Sequence, residues 1–178
     1  SLPSTQKRLW VFDVAHDRVM FNEHVAHGSG TGDNLARRFS NEDGSHATSL
    51  GLFRTAETYQ GGNGYSLRLD GLDAGFNDRA RSRAIVMHGA WYVNPDLIRT
   101  QGRLGRSQGC PALREQVAKV VIDTLKQRQL LFAYADDAAF LQRGRSFACD
   151  GRSAAQILAA ARAGVFSAGG VGRGVSAP

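Results

Sequence analysis

The sequence predicts a mainly β domain with a few short helices. Its 21 glycines against four prolines indicate many turns and loops. Several runs of β-branched and aromatic residues alternate with these turns, whereas only one long run has a clear helical periodicity. A chain of 178 residues can bury one hydrophobic core without help from metals or disulfides. We therefore expect one main domain.

The N-terminal part of the chain indicates a β-hairpin. Residues 8–14 and 19–25 are rich in β-branched and aromatic side chains, and a short turn at 15–18 joins them. The stretch 27–45 that follows is polar and rich in glycine, as is typical of a loop. The sheet is therefore expected to begin with this hairpin.

The middle of the chain predicts further strands. Residues 48–59 and 65–69 have strand-like composition, and the glycine-rich segment 61–64 between them is a turn signal. Residues 84–87 form a continuous apolar run, which is typical of a buried strand. His88 should then lie at the end of that strand.

One helix is strongly marked. Proline is favoured at the first helical position, so Pro111 predicts the start of a helix over residues 111–127. The apolar residues that recur at helical spacing are Val117, Val120, Val121 and Leu125.

The last part of the main domain is predicted to hold one strand and one short helix. Residues 130–134 have the composition of a closing strand, and a helical segment with Phe140 and Leu141 begins at the Asp136–Asp137 pair. The domain is therefore expected to span residues 1–143.

The remaining residues, 144–178, form a Gly/Ala-rich extension. Residues 154–163 have a weak helical pattern, whereas 164–178 contain almost no large apolar side chain. We expect this extension to be mobile or loosely docked.

The charge and hydropathy of the sequence limit the classes of protein to which it can belong. A formal charge of +6 attracts polyanions, but Lys and Arg are scattered along the chain, so nucleic acid and an anionic cell-envelope polymer are equally compatible with it. No apolar run reaches the roughly 18 residues of a membrane span. The chain starts at Ser1 without the charged and apolar regions of a signal peptide. If the protein is exported, its leader is not in this sequence.

The chemistry of the sequence centres on Cys110. A cysteine between a glycine turn and a helix start has its thiolate favoured by the helix dipole. The N–H groups of Gly109 and Cys110 are predicted to form an oxyanion hole. His88 is the leading candidate for the general base, and the backbone carbonyl of Gly89 is a candidate to hold its tautomer.

Other candidate sites are weaker. Cys110 and Cys149 lack the paired spacing of a zinc site, and Cys149 is expected to be a non-catalytic thiol that would pair with Cys110 only if their Cα atoms lie within about 7 Å. His24 and His27 lack the helical context of a metal pair. The segment 28–32 lacks the lysine of a phosphate-binding loop, so we reject nucleotide binding.

These motifs resemble the YkuD-type L,D-transpeptidases of bacterial cell-wall synthesis. The signature of that family is a strand ending in His-Gly, a variable loop and then Ser-x-Gly-Cys, which match His88, Gly89 and residues 107–110. An earlier Thr-Pro-x-Gly-x-Phe element is matched in part by residues 48–53. Two matches in the right order are much stronger than one.

The longer segments 86–92 and 102–107 are similar to the murein L,D-transpeptidase catalytic domain subgroup, and the resemblance covers residues 7–135. It implies curved β-sheets with a helix after the catalytic cysteine, a cleft above Cys110, and no metal or organic cofactor.

The chain departs from the family pattern at two positions. Ala112 replaces a common Arg or Asn, and Gln108 replaces a frequent His, which leaves His88 as the only base in the motif. Recognition of the substrate carboxylate is therefore expected to pass to Arg106, with Arg103 and Arg114 as alternatives. The predicted substrate-binding residues are Arg106, Ser107, Gln108, Trp91 and His27.

The resemblance implies a reaction on peptidoglycan stem peptides in the periplasm or cell envelope. Cys110 would attack the amide before the terminal D-Ala of a tetrapeptide, and an amine from a second stem would complete a 3→3 cross-link. Water in place of that amine would make the protein an L,D-carboxypeptidase. A carbapenem would be expected to acylate Cys110. We expect a monomer without a nucleic-acid partner.

Two other classes of protein share features with this sequence. A catalytically silent wall-binding domain would keep the fold and use its basic surface, but the intact pair of Cys110 and His88 argues against it. In papain-like peptidases the cysteine precedes the histidine, which is opposite to the order here.

Overall fold

The computed structural model describes residues 2–147, together with residues 156 and 159. Within these residues the fold is mainly β, as predicted, with three short α-helices. The strands are β1 (Leu9–Asp13), β2 (Arg18–Glu23), β3 (Val25–Ala26), β4 (Gly51–Gly61), β5 (Gly64–Gly71), β6 (Val86–Gly89), β7 (Ala112–Leu113) and β8 (Leu130–Ala133). The helices are α1 (Pro95–Gln101), α2 (Glu115–Leu125) and α3 (Ala138–Arg143).

The predicted N-terminal hairpin is confirmed. Strands β1 and β2 pair antiparallel as a two-stranded sheet, with a register shift between Val11 and Phe12. Such a shift bends and twists a strand. Leu9 and Val11 point into the core, whereas Trp10 and Phe12 are exposed, which is the alternation expected of a half-buried strand.

The second sheet has six strands in the order β3-β7-β6-β5-β4-β8. The predicted strands at 48–59 and 65–69 correspond to β4 and β5, which form a hairpin. The predicted buried strand corresponds to β6, and His88 lies near its end as expected. All neighbours are antiparallel except β6 and β7, which run parallel and pair His88 with Ala112.

The helix after Cys110 is present, but its predicted start at Pro111 is wrong. Residues 112 and 113 instead form β7, because they pair with both β3 and β6 in the sheet. Proline is tolerated just before a strand, where no ladder hydrogen bond is lost. Helix α2 begins at Glu115 and buries four residues at helical spacing, while Val120 is half-exposed. The four buried residues are Ala118, Val121, Ile122 and Leu125.

Helix α2 packs its apolar face onto β5 and β6 and closes the main core. Gly89 permits this close approach, since a Cβ atom there would lie 3.0 Å from the Cβ of Ala118. The core cluster contains Leu9, Val11, Leu67, Met87, Leu113, Ala118, Val121, Ile122 and Leu125. The packing fixes the strand that ends in His88 against the helix that follows Cys110.

Helix α1 was not predicted from the sequence. Its first turn is capped by Asn94, whose side-chain oxygen accepts the N–H of Asp96 at 2.9 Å, and Pro95 occupies its first position. Gly102 ends the helix in a left-handed conformation.

The predicted closing strand and final helix are confirmed as β8 and α3. Beyond α3, the Ser146 N–H donates to the carboxylate of Asp73 at 3.0 Å, so the chain stays attached at least to that residue. The predicted weak helix at 154–163, the tail at 164–178 and Cys149 lie outside the described residues, apart from residues 156 and 159. Within the described part of the chain, no helix is long and apolar enough to cross a membrane.

Candidate active site

One cavity brings together the central residues of the motif. Its volume is about 410 Å³, which is within the range of small-ligand sites. It is lined by Asn63, Arg83, Ala84, His88, Tyr92, Arg106, Ser107, Gln108 and Cys110. The structure thus brings together five of the predicted site residues, namely Cys110, His88, Arg106, Ser107 and Gln108.

His88 is oriented by the backbone of its neighbour. Its Nδ1 lies 2.8 Å from the carbonyl oxygen of Gly89, which is the contact that the sequence suggested. A carbonyl only accepts, so Nδ1 carries the proton and the lone pair of Nε2 is free to accept one. Burial lowers the pKa of His88, and the Gly89 carbonyl partly opposes this. The ring is therefore neutral at neutral pH and can act as a base.

Cys110 is a buried free thiol. Its Sγ lies 3.4 Å from the backbone N of Val86, which donates to it, and 3.8 Å from the carbonyl oxygen of Ala84. Burial raises the pKa of this thiol, while the Val86 N–H and the charge of Arg83 lower it by less. The prediction that the helix dipole favours the thiolate is wrong, because α2 begins five residues after Cys110 and the dipole acts only over the first turn.

Ser107 and Gly109 shape the turn that holds the cysteine. The hydroxyl of Ser107 accepts the Gly109 N–H at 3.1 Å and donates to the Cys110 carbonyl at 2.7 Å. The N–H of Gly109 is therefore committed inside the turn and does not point at an oxyanion as predicted. Gly109 itself has φ +118°, a conformation that glycine alone adopts readily. Among the described residues, no acceptor contacts the N–H of Cys110, which remains a candidate oxyanion donor.

A second layer of backbone contacts supports this turn. The Thr48 hydroxyl accepts the N–H of Gly28 at 3.0 Å and donates to the carbonyl of Gly109 at 3.2 Å. A Cβ atom on Gly28 would lie 2.8 Å from the Cα of Gly109, so the two segments touch. The glycine-rich segment 28–32, which the sequence left without a role, thus packs against the cysteine turn. The sequence signal for this close approach is the glycine repeat next to a strand.

Two titratable residues of the cavity, Arg83 and Tyr92, were missed by the sequence reasoning. The Arg83 guanidinium donates to Ser40 O at 3.0 Å, to Ser49 Oγ at 2.6 Å, to Ser45 Oγ at 3.1 Å and to Ala47 O at 2.9 Å. These partners are all neutral, and no carboxylate is paired with Arg83 in the described part of the chain. Its positive charge therefore acts on the cavity that Cys110 lines.

Tyr92 is the second missed residue. Burial raises the pKa of its phenol to about 12, with a smaller contribution from the neighbouring Cys110 thiolate. The phenol therefore stays protonated and can donate a hydrogen bond into the cavity.

The predicted carboxylate-binding arginines differ in position. Arg106 lines the cavity and pairs with the exposed Asp33 at 2.9 Å. Arg103 lies 3.9 Å from the same carboxylate. Arg114 lines a different cavity and is held by a two-point contact with Glu23. Of the three, Arg106 is the one that faces the Cys110 cavity.

The structure does not bring His27 or Trp91 into the Cys110 cavity. His27 is buried between Arg8, whose guanidinium donates to Nδ1 at 2.7 Å, and the carbonyl of Gly32, which lies 3.2 Å from Nε2. Burial and the charge of Arg8 lower the pKa of His27 to about 4. Trp91 is 72% exposed and lines a second cavity.

Within the described residues, no three His, Cys, Asp or Glu side chains come together as a metal-binding group. The conditional pairing of Cys149 with Cys110 concerns a residue outside the described part of the chain.

A mainly β fold with a cysteine and an oriented, neutral histidine in one cavity is of the class of cysteine-dependent acyl-transfer domains. The family model of the L,D-transpeptidase catalytic domain (YkuD_2) matches residues 1–134. The chain belongs to this family. No curated protein matches the sequence.

Proposed function

We propose that this protein is a peptidoglycan L,D-transpeptidase with Cys110 as its nucleophile and His88 as its general base. The observation that carries the proposal is the shared cavity, in which the Gly89 carbonyl holds His88 in the tautomer that can accept the thiol proton. The family that the chain belongs to supports the type of reaction.

The first step forms a thioester. The Cys110 thiol gives its proton to Nε2 of His88 while the sulfur attacks the carbonyl carbon of the third stem residue. The C–N bond to the terminal D-Ala then breaks, and the imidazolium returns the proton to the leaving amine. Free D-Ala departs and the stem remains bound to the sulfur.

The second step resolves the thioester. An amine of a second stem attacks the same carbonyl carbon, His88 accepts its proton, and the C–S bond breaks. The proton passes to the sulfur and the thiol is restored, with a 3→3 cross-link as product. Water as the attacking group would give L,D-carboxypeptidase activity at the same site.

The pKa shifts favour proton transfer during attack over a preformed ion pair. Burial raises the pKa of Cys110 and lowers that of His88, so both groups are neutral at neutral pH. The N–H of Val86 and the charge of Arg83 then stabilise the thiolate as it forms.

The tetrahedral oxyanion needs donors that are not used within the fold. The N–H of Gly109 does not meet this requirement, because it donates to the Ser107 hydroxyl. The N–H of Cys110 and the phenol of Tyr92 are the candidate donors at this cavity. Arg106 is the candidate to bind the carboxylate of the donor stem, since it lines the cavity, and its guanidinium contacts the exposed Asp33 at 2.9 Å and the Gly32 carbonyl at 3.2 Å. Gln108 lines the same cavity and offers an amide to the stem backbone.

The setting that follows is the periplasm or cell envelope, where stem peptides occur. We expect a carbapenem to acylate Cys110, because it presents a reactive acyl group to the same nucleophile.

The test is incubation with defined tetrapeptide muropeptides and separation of the products by mass. The expected products are 3→3 dimers and free D-Ala, and Cys110→Ala should form neither. Cys149→Ala serves as the matched control and should retain both products. Full activity of Cys110→Ala would overturn the proposal. Tripeptide without dimers would identify a carboxypeptidase, and an unreacted stem with wall binding would identify a silent binding domain.

A further inference from the structure

A second cavity lies beside the His88–Gly89 motif. Its volume is about 360 Å³, close to the lower end of the range for small-ligand sites. The residues that line it include Trp91, Val93, Asn94, Arg114, Glu115 and Gln116. The reaction at Cys110 uses none of these side chains.

Trp91 gives this cavity an open aromatic wall. Its indole is 72% exposed and meets the ring of Tyr92 edge-to-face, with ring centroids 5.8 Å apart at 80°. Since Tyr92 lines the Cys110 cavity, this aromatic pair lies on the boundary between the two cavities. An indole that is exposed beside a cavity has a face free to stack on a bound ring.

The polar groups of the cavity are of mixed donor and acceptor type. The Oδ1 of Asn94 caps α1, which leaves its amide NH₂ to donate. Gln116 is exposed and offers both a donor and an acceptor. In the described part of the chain, no cation pairs with the carboxylate of Glu115.

The charge of the cavity disfavours an anionic ligand. Arg114 is neutralised by a two-point contact with Glu23, with N···O distances of 2.8 Å and 3.1 Å. Glu115, in the first turn of α2, therefore carries the charge at this site that no cation of the described residues pairs with. Among the described residues, no β-strand edge lines the cavity, so an extended peptide would find no backbone ladder there to join.

We infer that the Trp91 cavity binds a neutral saccharide ring of the glycan strand that carries the donor stem. An exposed indole face stacks on the apolar face of a sugar ring, and the groups of Asn94, Glu115 and Gln116 match hydroxyl and acetamido groups. The inference rests on the proposed function, because the stem in the first cavity is attached to such a glycan.

The binding test uses the intrinsic fluorescence of Trp91. The chain contains two tryptophans, so Trp10→Phe leaves Trp91 as the only reporter. Titration with a peptide-free oligomer of β-1,4-linked N-acetylglucosamine should give a saturable change in emission. The same titration in Trp10→Phe/Gln116→Ala should give weaker binding. An emission that does not respond to the oligomer would overturn the inference.

The kinetic test compares a disaccharide-linked tetrapeptide with the sugar-free tetrapeptide. In Trp91→Ala, kcat/KM for the disaccharide-linked donor divided by kcat/KM for the sugar-free donor should fall about tenfold, as expected for the loss of one aromatic contact. Trp10→Ala, which removes an exposed indole from β1, is the matched control and should leave the ratio unchanged. An equal loss for both donors would show that the cavity holds peptide and would overturn the saccharide assignment. If wild-type protein reacts with neither donor, the proposed function fails instead, whatever the titration gives.

Discussion

The hydroxyl of Ser107 donates to the carbonyl oxygen of Cys110 at 2.7 Å and accepts the N–H of Gly109 at 3.1 Å. One buried side chain thus satisfies two backbone groups of the turn that contains Cys110. We therefore expect Ser107 to be a positioning residue that holds Cys110 in place.

Ser107→Ala should reduce the free energy of unfolding by about 1–3 kcal/mol, because it leaves two buried backbone groups without a partner. It should also slow Cys110 acylation, since the turn is less fixed. Chemical denaturation and the rate of thioester formation by intact mass would measure these effects. Ser82→Ala is the control, because Ser82 is exposed and its hydroxyl donates to the nearby carbonyl of Arg79 at 2.9 Å. Unchanged acylation in Ser107→Ala would contradict the positioning role.

Arg83 is expected to stabilise the thiolate of Cys110. Removal of its charge in Arg83→Gln should raise the pKa of the thiol further, so the alkylation of Cys110 should require higher pH. Arg83→Lys keeps the charge and should stay closer to wild type. The measurement is the pH dependence of the alkylation rate, followed by mass on Cys110.

Arg79→Gln is the matched control for Arg83. Arg79 pairs with Glu42 on the surface and does not line the Cys110 cavity. The Gln and Lys variants at position 83 separate charge from geometry. If Arg83→Gln and Arg83→Lys shifted the pH dependence of Cys110 alkylation equally, the lost hydrogen bonds to the 40–49 loop would be responsible and the charge effect would be absent.

Tyr92 is expected to donate a hydrogen bond to the oxyanion. Tyr92→Phe removes the hydroxyl but keeps the ring, so kcat should fall about 100-fold while the fold is retained. The control is Tyr65→Phe, which loses only a phenol bond to Asp123 at 2.8 Å. Steady-state kinetics on the tetrapeptide would measure both variants. A kcat within twofold of wild type in Tyr92→Phe would remove the phenol from the oxyanion site.

Local sequence patterns predicted the longer elements well. The hairpin of β1 and β2, the hairpin of β4 and β5, and the apolar strand before His88 each have a composition that a short window reveals. Strands β3 and β7 have two residues each and show no periodicity, because tertiary pairing alone defines them. This explains the error at Pro111, where a helix-start signal lies before a strand. Helix α1 had readable signals in Asn94, Pro95 and Gly102 that the sequence reasoning passed over.

The candidate site was predictable where the chemistry is contiguous in the chain. Cys110, His88 and the Gly89 carbonyl all follow from two short motifs. Arg83 and Tyr92 were missed because their proximity to Cys110 is created by the fold. The sequence also predicted the wrong direction for the shift in the pKa of the Cys110 thiol, because burial, which raises that pKa, is a tertiary property.

The buried His27 should make the protein sensitive to acid. Its pKa is about 4 in the folded state, against an ordinary value near 6.5, so the unfolded state binds more protons between these two values. The free energy of unfolding should therefore fall by up to about 3 kcal/mol as the pH decreases from 6.5 to 4. His27→Gln keeps a donor for the Gly32 carbonyl and an acceptor for Arg8, and it should flatten this dependence of stability on pH, as measured by denaturant unfolding at several pH values.

The control is His16→Gln at an exposed position, which should retain the wild-type slope. Because the His27 carbonyl accepts the N–H of Ser107 at 3.0 Å, protonation of the ring should also loosen the cysteine turn. Equal slopes in His27→Gln and wild type would assign the acid sensitivity to other groups.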